Sequence, residues 1–505
     1  MKKVSIVLLS LLLTAALVFS GCTKAEQVQP HDPNLDVLDY TLVAADAAAL
    51  QELDVYVNLQ TLDLRGSDCY EAIENYIAAH PQVKVTYDVE VAGVRYSPDV
   101  QQLKLEDGSF EPEALLDVMK HLPKLERLEL PKTGLSFEQL TAIREAYPNL
   151  TVIYTVELLG QEVSTDLAEL DLSGLTAEEL DEQLLEKLRL LTGLTRIQLM
   201  QEDGTTNFAP VDVKNLMNVL PDVAMDYSFQ LFGQTVTTAD ERVEFKNTYI
   251  GDEGIPEIRA ALDILPNCTY FLMDNCGVDN EVMAQLRADY PNSKVVWRVF
   301  WRNKYHVLTD TEMINSNGVR SEDIEVLKYC NDVIYLDIGH SDYLDSIEVV
   351  KYMPKLKVCI CVDSKITDLS PLVNCPDLEV LEIVACRKIT DLSPLVNCTK
   401  LKGINMSMAY GVKDITPLYS LVNMERLYLG SNNISDEMYE EACEKMPNCW
   451  VTDNWYDSSG VYRNYAVGWR LDPGGRFSEW YLEMREIFRY TEYYYSGKGE
   501  KIKQI

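Results

Sequence analysis

Positive charge is scarce in this chain. Its 505 residues carry 45 Lys and Arg against 80 Asp and Glu, a formal net charge of −35. Neutralising a phosphate backbone takes clusters of Lys and Arg, and none is present, so nucleic-acid binding is excluded as a reading. The same deficit argues against electrostatic attachment to anionic lipid head groups. Histidine is rarer still: His31, His80, His121, His306 and His340 are the five, far apart along the chain. No H-E-x-x-H, paired C-x-x-C, G-x-S-x-G or P-loop pattern occurs, and the D-x-[DN]-x-[DN]-G spacing of a calcium loop is missing. Twelve cysteines are too few for a disulfide scaffold in a chain of this length. Beyond the N-terminus there is no apolar run long enough for a bilayer span, which needs about 20 residues. Apolar residues make up 47% of the chain, a globular composition.

The N-terminus reads as an address. Lys2 and Lys3 precede an apolar run from Val4 to Phe19, and Ser20-Gly21-Cys22 follows. A short positive region, an apolar stretch and small residues before a cut site make a secretory signal. Cys22 directly after Ser20-Gly21 resembles a bacterial lipobox, although Phe19 stands where Leu is commoner. The resemblance implies cleavage before Cys22 and lipidation of its thiol, which gives an extracytoplasmic protein anchored by lipid to the bacterial cell membrane. Residues 22–35 are polar and Pro-containing, as a tether should be.

Length alone would give about three domains. Internal repeats point elsewhere. Pro81, Pro148, Pro221 and Pro291 are spaced 67, 73 and 70 residues apart, and each is followed six residues later by an aromatic: Tyr87, Tyr154, Tyr227 and Trp297. Apolar residues alternate around these aromatics, which reads as a strand. Gly93, Gly160, Gly233 and Asn303 stand twelve residues after the prolines. These residue types accept positive φ, so a tight hairpin is predicted at each. Within each unit runs a finer L-x-x-L-x-L pattern, as at Val100, Leu103, Leu105 and at Leu125, Leu128, Leu130, with helical patterns such as 114–121 and 137–146 between copies.

After residue 330 the pattern sharpens. Val333, Leu356, Leu378, Leu401 and Met424 are spaced 23, 22, 23 and 23 apart, ITDLSPLVNC occurs twice, and LYLGSNNIS begins at Leu427. Residues 356–434 resemble the short leucine-rich repeats of internalin-type bacterial surface proteins; 59–355 fit more loosely. The resemblance implies an α/β leucine-rich-repeat solenoid: a curved parallel sheet on the concave face, helices or turns on the convex face, and periodic β-hairpin extensions. Stacking supplies the core that no single repeat can bury alone. The organisation expected is a signal peptide at 1–21, a lipidated tether at 22–35, repeats with hairpins in units of about 70 residues at 36–308, internalin-like repeats at 309–453 and an aromatic-rich cap or tail at 454–505. The chain departs from the family's Asn ladder, with Ser364, Cys386, Ala409 and Asn432 at the ninth repeat position. Ser replaces Asn partly, Cys weakly and Ala not at all, so irregular turns or bound water are expected there.

Function is sought on the concave face. The outward positions of the last repeats hold Tyr335, Asp337, Val358, Ile360, Val362, Val380, Glu382, Val384, Asn405, Arg426 and Tyr428. Val358, Ile360, Val362, Val380 and Val384 would form an apolar patch, open for a protein partner or covered by the tail or a neighbour. Cys359 and Cys361 fall on inward positions and read as core, not as a metal or redox pair. The tail at 454–505 holds three of six tryptophans and eight tyrosines, and its charge is nearly balanced. Such residues serve recognition or capping. No enzymatic activity, cofactor or metal is expected. The expected role is protein recognition or adhesion through the concave face, with an extracellular or envelope protein as partner. A glycan- or cell-wall-binding module or an envelope spacer is the alternative.

Overall fold

The computed structural model describes residues 6–9, 39–105, 112–130, 137–302 and 305–453, together with positions 469, 482 and 504. Cys22 with most of the leader and tether, the hairpin residue Asn303 and nearly all of the tail lie outside the described residues. The chain divides into two compact units: Met1–Phe208 with Asn215–Met225, and Ala209–Lys214 with Asp226–Ile505.

The first unit is built from short parallel strands separated by helices. Asp39–Val43, Thr61–Asp63 and Lys84–Thr86 pair in parallel, and Ile6–Leu9, from the segment read as the leader, lies along the Asp39–Val43 edge. Gln102–Lys104, Arg127–Leu130 and Thr151–Leu158 repeat the arrangement. Helices Tyr70–Ala79, Pro112–Met119 and Phe137–Ala146 return the chain between strands. Leu103, Leu105, Leu128 and Leu130 are buried as the repeat pattern requires.

Hairpins stand where the glycines predict them. Val89–Val91 pairs antiparallel with Val94–Tyr96, and Thr151–Leu158 with Gln161–Ser164. In the second unit Ser228–Leu231 pairs with Gln234–Thr237. Ala92 and Gly93 both have positive φ (50° and 79°), as do Leu159 with Gly160 and Phe232 with Gly233. Two consecutive left-handed residues make the turn whose twist matches that of the paired strands.

The second unit continues with Arg242–Lys246, Tyr270–Asp274 and Lys294–Trp301 in parallel, closed by antiparallel Tyr305–Leu308. Seven parallel strands follow: Met313–Asn315, Tyr335–Asp337, Val358–Ile360, Val380–Glu382, Gly403–Asn405, Arg426–Tyr428 and Trp450–Thr452. Their central residues Leu336, Cys359, Leu381, Ile404 and Leu427 are fully buried in one continuous core. Parallel strands recurring at this spacing around such a core are the arrangement that the repeat pattern predicts.

In these later repeats the chain returns between strands through short 3-10 turns, except before the last strand, where the α-helix Asp436–Lys445 does so. Ser370–Asn374, Ser393–Asn397 and Thr416–Ser420 each begin with a proline at the first or second position. Asp368, Asp391 and Asp414 accept from the backbone N–H two residues on, at 2.7, 2.8 and 2.9 Å. A repeat of 22 or 23 residues leaves little chain for a helix, and the Asp-x-Ser/Thr-Pro sequence closes a tight turn instead.

The ninth repeat position behaves differently from expectation. A left-handed residue precedes the position at every residue type, Ala409 included, and at Cys386 the thiol adds a bond to Cys361 O at 3.0 Å. The residue before each ninth position is left-handed: Asp363, Ala385, Met408 and Ser431 have φ between 54° and 57°. Cys386 N and Ala409 N make the same backbone bond, to Ile383 O and Met406 O, each at 3.2 Å. Backbone hydrogen bonds, not an Asn side chain, hold this bend. The buried side-chain amide of Asn432 has no hydrogen-bond partner among the described residues.

Candidate functional site

Strand register sets the residues on one face of the seven-stranded sheet, the face expected to be concave, in two rows. Tyr335, Val358, Val380, Gly403 and Arg426 are aligned in one, and Asp337, Ile360, Glu382, Asn405 and Tyr428 in the other. Side chains alternate along a strand, so these residues share the face opposite the repeat core. Gly403 contributes no side chain to the first row and is buried.

The apolar centre of this face is covered. Tyr335, Val358, Ile360, Val380 and Tyr428 form a buried cluster of their own, separate from the repeat core, and its sixth member is Trp469. The Trp469 side chain is 0% exposed. Its indole N–H donates to Glu382 Oε1 at 3.0 Å, and Glu382 is itself only 3% exposed. Asn405 is buried nearby and accepts from Ser407 N and Ser407 Oγ. Val362, Val384, Asp337 and Arg426 are half-buried. Asp337 accepts from Gly339 N at 3.0 Å, and Arg426 lies over the Trp450 ring, 4.8 Å from its centroid. Burial draws the Arg426 guanidinium below its ordinary pKa.

The concave residues named from the sequence are thus brought together on one face. The apolar patch among them does not face solvent, because an indole from the C-terminal segment lies on it. Nothing in the local sequence singles out Trp469. The available signal was compositional, an aromatic-rich and nearly neutral segment after an acidic body, and no local pattern says which of its aromatics docks.

Among the described residues no group of three or more His, Cys, Asp or Glu side chains is arranged to hold a metal ion. Cys359 and Cys361 lie in the repeat core with their sulfurs 3.5 Å apart, and Cys375 and Cys398 are buried beside them. Cys443 and Cys449 are free thiols.

No family model and no curated protein matches the sequence. Solved structures with similar repeats include internalin C2 of Listeria monocytogenes, 21% identical over 44% of this chain and 86% of that one, with a TM-score of 0.27. A leucine-rich-repeat protein of Leptospira interrogans is 15% identical over 83% of this chain and 96% of that one, also at 0.27. A second Listeria internalin, internalin F, is 15% identical over 81% and 79%, at 0.25. At these TM-scores the likeness carries no functional weight.

Proposed function

We propose that this protein is a lipid-anchored surface protein that recognises another protein through the concave face of the repeats within 309–453, without catalysis. Residues 1–21 are the cleaved signal, 22–35 the tether, 36–308 and 309–453 the two repeat arrays, and 454–505 the closing segment. The observation that carries the reading is the concave seat itself. Val358, Ile360 and Val380 are apolar residues on a sheet face whose strands already have a complete core behind them. Apolar side chains in that place serve contact with something laid on the sheet. No helix among the described residues is long and apolar enough to cross a membrane; the anchor we propose is the lipid on Cys22, read from Ser20-Gly21-Cys22. Glycan recognition is the weaker reading, because Tyr335 and Tyr428, the aromatics that would stack on a sugar, are buried.

The test is capture of envelope or host proteins by the full-length protein and by an Ile360→Asp/Val380→Asp variant. Saturable capture by the first and its loss in the second, with unchanged circular dichroism, is the expected result. Equal capture by both refutes the concave-face assignment. A Cys22→Ser variant should move from the membrane fraction to the soluble fraction; retention in the membrane refutes the lipid anchor.

A further inference from the structure

We infer that the seat beneath Trp469 is a tryptophan-reading site: the chain's own C-terminal segment is a displaceable occupant, and a polypeptide partner presenting a Trp side chain takes its place. The inference rests on the reading of the concave face as the recognition surface and names the chemistry of the partner.

Three features support it. First, the repeats do not need Trp469 to complete their core. Cys359, Leu381, Ile404 and Leu427 point to the opposite side of the strands from Ile360, Glu382, Asn405 and Tyr428 and belong to a different cluster. Removing the indole uncovers one face without opening the other.

Second, the seat makes two demands at once. Val358, Ile360 and Val380 ask for a large apolar body, and the buried Glu382 oxygen asks for a donor at one edge of it. Indole has a broad apolar face and a single N–H. Phe or Leu would fill the space without supplying that donor.

Third, the occupant is tethered, so its grip is a matter of competition. Trp469 follows the end of the described repeats at Asp453 by sixteen residues. A seat filled from within the same chain yields to a free ligand that binds it more tightly than the intramolecular occupant does. The charges around Trp469 also fit. Arg463, Arg470 and Arg476 flank it in sequence, while the body of the chain is strongly acidic. A partner segment should therefore carry Trp with basic neighbours.

The experiment uses the full-length protein in detergent and a fluorescent peptide of residues 462–476, whose one Trp is Trp469. Anisotropy should show binding to Trp469→Ala and binding at least about tenfold weaker to the wild type, where the tethered indole competes. A peptide with Ala in place of Trp should fail to bind Trp469→Ala. Adding Val380→Asp to Trp469→Ala should abolish binding, and adding Glu382→Gln should weaken it about three- to tenfold. Trp469→Phe, which keeps the apolar contact and removes the donor, should bind the peptide more tightly than the wild type does.

Equal peptide binding by wild type and Trp469→Ala overturns the inference. So does loss of the cooperative thermal transition in both Trp469→Ala and Trp469→Phe, which would make the indole a fixed structural element. If Trp469→Ala alone fails to fold, Trp469→Phe decides. Peptide binding to Trp469→Ala together with no capture of any envelope or host protein upholds the seat and refutes the partner reading. Captured protein lost in the Val380→Asp variant, with no peptide binding to Trp469→Ala, refutes the seat and upholds the partner reading.

Discussion

At the scale of single residues, the cysteines show how a repeat assigns chemistry by position. Cys330, Cys375, Cys386 and Cys398 replace apolar residues of the core, and each is buried. Burial pushes the Cys330 and Cys375 thiols up to about 12, and those of Cys386 and Cys398 to about 11. The proton is favoured in the folded state because a thiolate there would be desolvated. The folded protein therefore holds these protons at pH values where the unfolded chain, with thiols near about 8.5, has released them. The stability this contributes is fully present below about pH 8.5 and is lost as pH rises through the folded values of 11 to 12. Chemical denaturation at pH 7, 9 and 11 should show that decline, and it should be shallower in a Cys375→Val/Cys398→Val variant. Alkylation of the native protein at pH 8 should modify the exposed Cys443 first and spare these four until denaturant is added. Mass spectrometry of the labelled peptides checks the order.

At the scale of the element, the repeat turn is held by backbone geometry and close approach. Gly411 follows Ala409 in one such turn, and a Cβ there would lie 2.7 Å from Arg387 O and closer still to Ile389 O. Gly411→Ala should force a backbone shift and destabilise by about 1–3 kcal/mol, read as a lower denaturation midpoint. Register between repeats is reinforced by charge. Asp332 bonds Lys294 at 2.7 Å and Lys355 at 2.6 Å, Asp377 bonds Lys400 at 2.5 Å, and Glu379 bonds Lys402 at 3.0 Å. Burial opposes ionisation of Asp332, and the two lysines outweigh it, so its carboxyl sits below the ordinary range. That contribution is present above about pH 3.9 and is lost as pH falls through the lower folded value. Asp332→Asn should flatten this part of the acid limb in a pH series of melting curves.

At the scale of the whole molecule, charge is the dominant property. The net charge of −35 keeps copies apart in neutral solution and favours neutral or basic partners. Solubility measured by turbidity should pass through a minimum near the isoelectric point of about 4.5 and recover on either side. Capture of a basic partner should weaken as ionic strength rises, since the Debye length shortens from about 10 Å at 0.1 M to about 3 Å at 1 M.

Sequence by itself determined the periodic features. The 22- and 23-residue spacing fixed the parallel strands and their inward residues, because a core built by stacking demands apolar side chains at the same place in every repeat. The glycine of each hairpin was legible because few residues accept its backbone angles. The face of the strands carrying Val358, Ile360 and Val380 was legible too, since alternation along a strand leaves no other choice. Tertiary structure alone decided what lies on that face. Trp469 stands 87 positions from Glu382, and no periodicity links a single indole to a distant carboxylate. Their meeting depends on a fit of shape and hydrogen bonding that composition cannot express. It also decided how the turns at Ala409 and Cys386 are held. There the bend is held by backbone hydrogen bonds and a left-handed residue, which a pattern of side chains does not reveal.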